Sequence, residues 1–245
     1  MHVTRERRGS RPLWLAVGGT VFAFTVLACV VTLLSWLGRQ SETQRQEYRR
    51  PARLQIDVAD TQVVLHASYS GTVEVERWLA WSSGKPVADE VWQGDTLRLS
   101  LDCPSTPHLP GCSTAYHIWV PADLSLAVTT SSGEVRLENL SGMIRVDTDS
   151  GNVEGIGLGA ADVTVTGGSG DLRLGFTGVP RHVVARMSYG DVTIGLPRGR
   201  AYNVRATAVE GNRNIGVRQD PGAPTTIEAS TAYADVTVRN ASDVP

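Results

Sequence analysis

SSGEVRL at 131–137, DSGNVEG at 149–155, GSGDLRL at 168–174 and SYGDVTI at 188–194 are four versions of one heptapeptide. Two degraded copies follow, EGNRNIG at 210–216 and YADVTVR at 233–239. The marker glycines Gly133, Gly151, Gly170, Gly190 and Gly211 lie 18, 19, 20 and 21 residues apart, and Ala234 takes the place 23 residues further on. A near-constant period of about twenty residues is the signature of a solenoid, in which each repeat is one coil stacked on its neighbour.

Within a repeat, a small residue and Gly supply the backbone angle of a tight turn. Next comes a short polar side chain, Glu134, Asn152, Asp171 or Asp191, able to bond local amides. The positions two and four after the glycine are apolar, as in Val135/Leu137, Leu172/Leu174 and Val192/Ile194. Stacking would align them as buried columns. A second turn falls midway, as at Asn139-Leu140-Ser141-Gly142 and Phe176-Thr177-Gly178. Two strands per coil give a flattened stack, so the expected fold is all-β, a parallel β-solenoid (β-helix-like) of about 18–23-residue coils. Antiparallel hairpins forming a sandwich are the rival arrangement. The coils at Glu210-Gly211-Asn212 and at Ala234 depart from the pattern, and the last is expected to act as a cap.

Upstream of Pro121 the period is also two. Leu54, Ile56 and Val58 alternate with polar partners, as do Val73 with Val75 and Leu97, Leu99 and Leu101, between turn signals such as Ser70-Gly71 and Gly94-Asp95. Tyr116-His117-Ile118-Trp119-Val120 is a further strand.

Residues 13–37, LWLAVGGTVFAFTVLACVVTLLSWL, hold no charge over 25 positions. A helix of that length would cover the ~30 Å of a bilayer core, with Trp14 and Trp36 at the headgroups. A cleaved signal peptide is the shorter-cored alternative. Val26-Leu27-Ala28-Cys29 loosely matches a lipoprotein box, but the apolar run continues beyond it, and Cys29 is read as a small apolar residue within the helix. Arginines flank both ends (Arg5, Arg7, Arg8 and Arg11 before, Arg39, Arg45, Arg49, Arg50 and Arg53 after), so charge alone does not orient the span.

The cysteines do. Cys103 and Cys112 bound CPSTPHLPGC, a turn-rich loop that readily brings two sulfurs together, and disulfides persist outside the cytoplasm. A pair of unlinked thiols is the plainer reading. Zinc is rejected, because only His108 accompanies the pair. The expected organisation is a cytoplasmic tail at 1–12, a single transmembrane helix at 13–37, a juxtamembrane linker at 38–52, an N-terminal β region with the Cys loop at 53–122 and solenoid repeats at 123–240. The C-terminal domain is placed extracytoplasmic, on a single-pass cell membrane protein.

From Leu54 to Pro245 there are 14 basic and 22 acidic residues, a formal charge of −8, which excludes nucleic acid as a partner. No GxSxG, HExxH or phosphate-binding loop occurs. The regular placing of the acids at turns is what a fold requires, and not the paired carboxylates of a glycosidase. A ladder of Glu134, Asn152, Asp171, Asp191 and Asp235 could share calcium, but closing their own turns is the simpler role. Gly167-Gly168-Ser169-Gly170-Asp171 misses the GGxGxD calcium repeat by one residue and occurs once. No catalytic residue, cofactor or metal is expected. His66, His108, His117 and His182 are scattered, and Trp78, Trp81, Trp92 and Trp119 gather before the repeats, as end-packing or as a binding patch.

The serial SG[DEN]V turns, with VPADLSLAVTTSSGEV before them and the Cys-bounded Pro/Gly loop, resemble a bacterial domain of unknown function known as the "putative adhesin" family, over residues 53–240. The resemblance implies a β-solenoid at the cell envelope, commonly behind a membrane anchor, and no catalytic residue. It implies an interaction or adhesion-type module bound to an envelope protein or surface ligand. The other implied role is an accessory sensor or regulator in an envelope-stress pathway.

Overall fold

The computed structural model describes residues 22, 24–30, 40–82, 84–103 and 112–241. The chain divides into two compact units, Met1–Gln40 and Ser41–Pro245. In the first, residues 22 and 24–30 are helical, and Phe22, Phe24, Val26, Leu27 and Val30 are exposed. No helix among the described residues is long and apolar enough to cross a membrane. The rest of the span expected at 13–37, and the tail at 1–12, lie outside the described residues.

The second unit is all-β. Its N-terminal part holds β1 (Gln40–Arg49), β2 (Arg53–Ser68), β3 (Thr72–Trp81), β4 (Val87–Gln93), β5 (Thr96–Asp102) and β6 (Cys112–Pro121). The repeats supply β7 (Ser125–Ser132), β8 (Val135–Glu138), β9 (Ile144–Ser150), β10 (Val153–Leu158), β11 (Asp162–Ser169), β12 (Leu172–Phe176), β13 (His182–Tyr189) and β14 (Val192–Leu196). The C-terminal part adds β15 (Ala201–Glu210), β16 (Arg213–Ile215), β17 (Arg218–Gln219), β18 (Thr226–Tyr233) and β19 (Val236–Asn240).

Each coil contributes one strand to each of two ladders. Sheet I runs β4-β5-β2-β7-β9-β11-β13-β18-β15. Sheet II runs β3-β6-β2-β8-β10-β12-β14-β19-β16, with β1 on the far side of β3. The long strand β2 serves both, so one hydrogen-bonded network joins all the strands. Pairing is antiparallel in β4–β5 and β3–β6 and parallel from β5 to β15 in sheet I and from β6 to β16 in sheet II. The core is therefore solenoid-like and not a sandwich of hairpins.

The apolar columns line the space between the sheets. Val135, Leu137, Leu172, Leu174, Val192 and Ile194 are all fully buried, as are Leu54, Ile56, Leu97 and Leu99 further along the stack. Each such side chain contributes about 1.5–3 kcal/mol by leaving water. One repeat breaks the rule. Its fourth position is Gly155, and Leu158 fills the space from the far side of a register shift in β10; a Cβ on Gly155 would meet Leu158 Cδ1 at 2.7 Å.

At the corner between the two strands of a coil, the marker glycines lie directly on one another. A Cβ on Gly151 would fall closer than 3.0 Å to the Gly133 carbonyl; Gly170 meets Gly151 in the same way, and Gly190 meets Gly170. The column begins at Thr61, under Gly133. It ends in an order the repeat does not announce: Gly190 donates its N–H to Tyr233 O, and Gly211 packs on the Ala234 carbonyl. The coil around Ala234 is thus internal, inserted between the two that precede it in sequence, and the coil around Gly211 forms the end. This corrects the expectation that the last coil caps the stack. A level is only ~4.8 Å high, so the 197–200 connection can step over one rung. Insertion brings Glu228 between Arg186 (3.0 Å) and Arg205 (3.5 Å) and stacks Tyr233 on Tyr189. In sequential order the two arginines would be neighbours without the acid between them. At the other end β2 is likewise internal, between the β5–β6 and β7–β8 coils.

Residues 40–49 are also corrected, from linker to strand. Period two is present in β1, but polar side chains carry it: Glu42, Gln44 and Tyr48 are the half-buried positions. They face Arg77, which is only 8% exposed. Arg77 donates Nε to Gln44 Oε1 and Nη2 to Gln46 Oε1, each at 2.7 Å, and pairs with Glu90, which also accepts the Tyr48 hydroxyl. Lys85 bonds Glu42 at 2.6 Å. Hydrophobic periodicity cannot register a strand seated on a buried ion pair.

Gly170→Ala is expected to cost about 3 kcal/mol or more, because its Cβ collides with backbone and its φ is +119°, whereas Gly71→Ala, with open space around it, stays within ~0.5 kcal/mol. Denaturant unfolding of both variants checks this. Arg77→Met leaves Glu90 buried and unpaired; a loss of about 3 kcal/mol is expected, together with faster amide exchange in β1. Burial pushes the Tyr116 hydroxyl up from 10.0 to about 12, and burial, then Glu90, raises that of Tyr48. Both phenols stay neutral in the fold while the unfolded chain ionises, so their contribution is intact below pH 10 and is lost towards about pH 12. Tyr116→Phe is expected to flatten that alkaline decline, measured as unfolding free energy against pH.

Candidate functional site

The turn acids occupy one edge, and they are engaged with each other's backbones. Asn152 Oδ1 accepts the Asp171 N–H at 2.9 Å, Asp171 Oδ1 accepts that of Asp191 at 3.1 Å, and Asp191 Oδ1 accepts that of Asp235 at 3.0 Å. Asp235 Oδ1 in turn accepts the Asn212 N–H at 2.7 Å. Each side chain therefore ties its turn to the next coil, and does not merely close its own turn. Glu134 stands apart, paired with Arg136 at 3.3 Å, while Arg136 also reaches Glu154 at 2.8 Å. Among the described residues no group of three or more His, Cys, Asp or Glu could hold a metal ion. Of the marker positions, Gly133, Gly151, Gly170, Gly190 and Ala234 have positive φ, from +118° to +155°; Gly211 does not share it.

Cys103 and Cys112 are joined in a disulfide with their Cα atoms 6.0 Å apart. The bond links the end of β5 to the start of β6, and so fastens sheet I to sheet II at the outer coil. His108 and the rest of 104–111 lie outside the described residues.

Strand alternation brings a second group together on the outer face of sheet II. The ladder places His66 of β2 beside Trp119 of β6 and Glu138 of β8, and Trp119 beside Glu74 of β3. One row along, Glu76 stands beside His117. His66 Nδ1 lies 2.9 Å from Glu138 Oε2. The rings of His66, His117 and Trp119 stack with centroids 5.5–6.4 Å apart, and Arg45 of β1 lies over Trp119 while pairing with Glu74 and Glu76. Trp78, 43% exposed, extends the face. This face offers ring surfaces and alternating charges to something laid across it.

The four tryptophans thus divide. Trp81 and Trp92 pack against the core at the end of the stack, whereas Trp78 and Trp119 look outward. His182 sits on the exposed side of sheet I, apart from the other histidines. Arg45, Glu74, Glu76 and Glu138 were not foreseen. A usable signal was present, since His117 and Trp119 occupy the outward positions of a strand whose inward ones are Tyr116, Ile118 and Val120.

No curated protein matches the chain. A "putative cell adhesion protein" from Clostridium sporogenes is similar over 82% of this chain and 100% of its own, at 10% identity and a TM-score of 0.49. A "putative adhesin" from Bacteroides fragilis is similar over 81% of this chain and 97% of its own, at 18% identity and a TM-score of 0.48. The family model Toastrack DUF4097 matches twice, at residues 52–175 and 120–243, and the chain belongs to that family.

Proposed function

We propose that this chain is a non-enzymatic interaction module, held at a cell membrane by the segment 13–37 with its β domain on the outer side. The observation that carries the reading is the outer face of sheet II. Trp119, Trp78, His66 and His117 stand among Glu74, Glu76, Glu138 and Arg45 on the hydrogen-bonded ladder of β3, β6, β2 and β8 and on β1, where hydrogen-bonding groups and ring surfaces are held ready for a partner. The partner is an envelope protein or surface ligand.

Two features support the location. The segment 13–37 is uncharged throughout, and its described part presents Phe22, Phe24 and Leu27 to the surroundings, as a helix in lipid does. The Cys103–Cys112 bond suits an oxidising compartment. A second reading, an accessory sensor in envelope stress, draws on β1. The strand directly after the anchor is wired to the buried Arg77–Glu90 pair, so an event on the domain could alter its seating.

Cross-linked pull-down of the full-length protein from native membranes tests the reading when the wild type is compared with Trp119→Ala/Glu74→Lys. The variant is expected to capture about tenfold less partner with an unchanged melting temperature. Equal recovery by both proteins, or none above background, would sink it. In intact cells Cys103 and Cys112 should resist an impermeant thiol reagent and label once an impermeant reductant is added; labelling without reduction contradicts the disulfide, and no labelling after reduction contradicts the outward placement.

A further inference from the structure

Both ends of sheet I finish in a strand with one unpaired edge among the described residues. At one end is β4, antiparallel to β5 and without a partner on its other side. At the other is β15. Its first residues, Ala201 and Tyr202, pair with β17, but from Asn203 onward only β18 is beside it. Asn203 sends its N–H to Thr225, so in a parallel ladder the alternate residues Val204, Ala206 and Ala208 point their N–H and C=O groups away from β18. One of these is met: Arg213 Nη1 reaches the Ala206 carbonyl at 3.4 Å.

An unpaired edge is a template for another strand, and proteins commonly blunt it with charge. Sheet II does so at its first edge, where β1 reads QSETQRQEYR. Sheet I does not. On its outer side β4 exposes Val87 (56%) and Val91 (49%), and β15 exposes Val209 (72%). The two edges also differ in sign. Between the valines β4 carries exposed Asp89, and β15 carries Arg205, whose side chain is 67% exposed beyond its long contact with Glu228.

We propose that these edges are the two halves of a self-association surface, β15 of one copy adding antiparallel to β4 of a second copy. The pairing places Val209 opposite Val87 and Thr207 opposite Asp89. The stem of Arg205 then covers Val91 while its guanidinium reaches Asp89 on the diagonal. The inward residues meet as Ala208 with Ala88, Ala206 with Glu90 and Val204 with Trp92, so the second copy seats on the ladder edge beside the polar cluster of Arg77 and Glu90. A second copy fits better than an unrelated peptide, because both edges belong to one ladder of common twist and carry complementary charge. The contact is heterologous, so it does not close on itself and grows along the stack.

Sedimentation velocity of the full-length protein in detergent tests this with Val87→Lys and Val209→Lys, both exposed positions whose melting temperatures should not change. The wild type is expected to form dimers and longer species with rising concentration. Each variant alone should associate about tenfold or more weakly. Mixed together, the two should recover association, but only as a one-to-one dimer, since each retains one working edge. In differently tagged chains, Val87→Cys should cross-link to Val209→Cys and not to itself. A monomeric wild type at every concentration overturns the proposal. So does association that survives Val87→Lys while Val209→Cys cross-links to its own kind, which would mean two β15 edges facing each other.

Discussion

Backbone lying on backbone at the glycine corners sets the spacing of everything else in this domain. Where Gly133, Gly151, Gly170 and Gly190 stack, no atom larger than hydrogen fits between the α-carbon and the carbonyl of the adjacent coil. Each coil is thereby held at the same height and in the same register as its neighbour, and the pairs at the next positions are brought into line. Val135, Val153, Leu172, Val192 and Val236 all occupy one such row. Asn152, Asp171, Asp191 and Asp235 act on the same contact from outside, each accepting an amide of the coil beside it. Removing a Cβ, adding a short acceptor and alternating apolar residues are thus parts of one solution to stacking without side chains at the corner.

Much of this was legible in the sequence because stacking repeats its demands. Gly at a fixed place, a short polar residue after it and apolar residues at two and four give coil length, corner position and the inward faces. The order of the coils was not legible. Period fixes how long a coil is, and says nothing of which coil it touches; the position of Ala234 depends on cross-coil partners such as Tyr189 and on a connection able to skip a rung. Strand β1 escaped for a different reason. Its alternation is written in Glu42, Gln44 and Tyr48, and only the buried Arg77 gives those residues an inside to face. The His66, His117 and Trp119 face was half legible, since alternation sends these rings outward, but no local pattern places β2, β6 and β8 side by side.

The two ends of the stack are finished by opposite means. At the first, a guanidinium, a carboxylate, two amides and two phenols close the space between the sheets, and the strand that brings half of them, β1, lies outside the residues matched by the family. At the other, the coil of β15 and β16 closes the core with Tyr202, Ala206 and Val217 and leaves most of its backbone edge uncovered. A polar lid and a bare rim on one body make it directional.

The threading of β2, β18 and β19 into interior levels has a mechanical meaning. A stack whose outermost coils are also the first and last in sequence can be peeled, one ladder giving way at a time. Here the closing strands β18 and β19 are each clasped on two sides, as is β2. Drawing one out must break two rows of bonds together and slide it along its own length, a shearing motion that resists far more than peeling does. Tension arriving through the C-terminal strands is therefore met first by strands held on both sides.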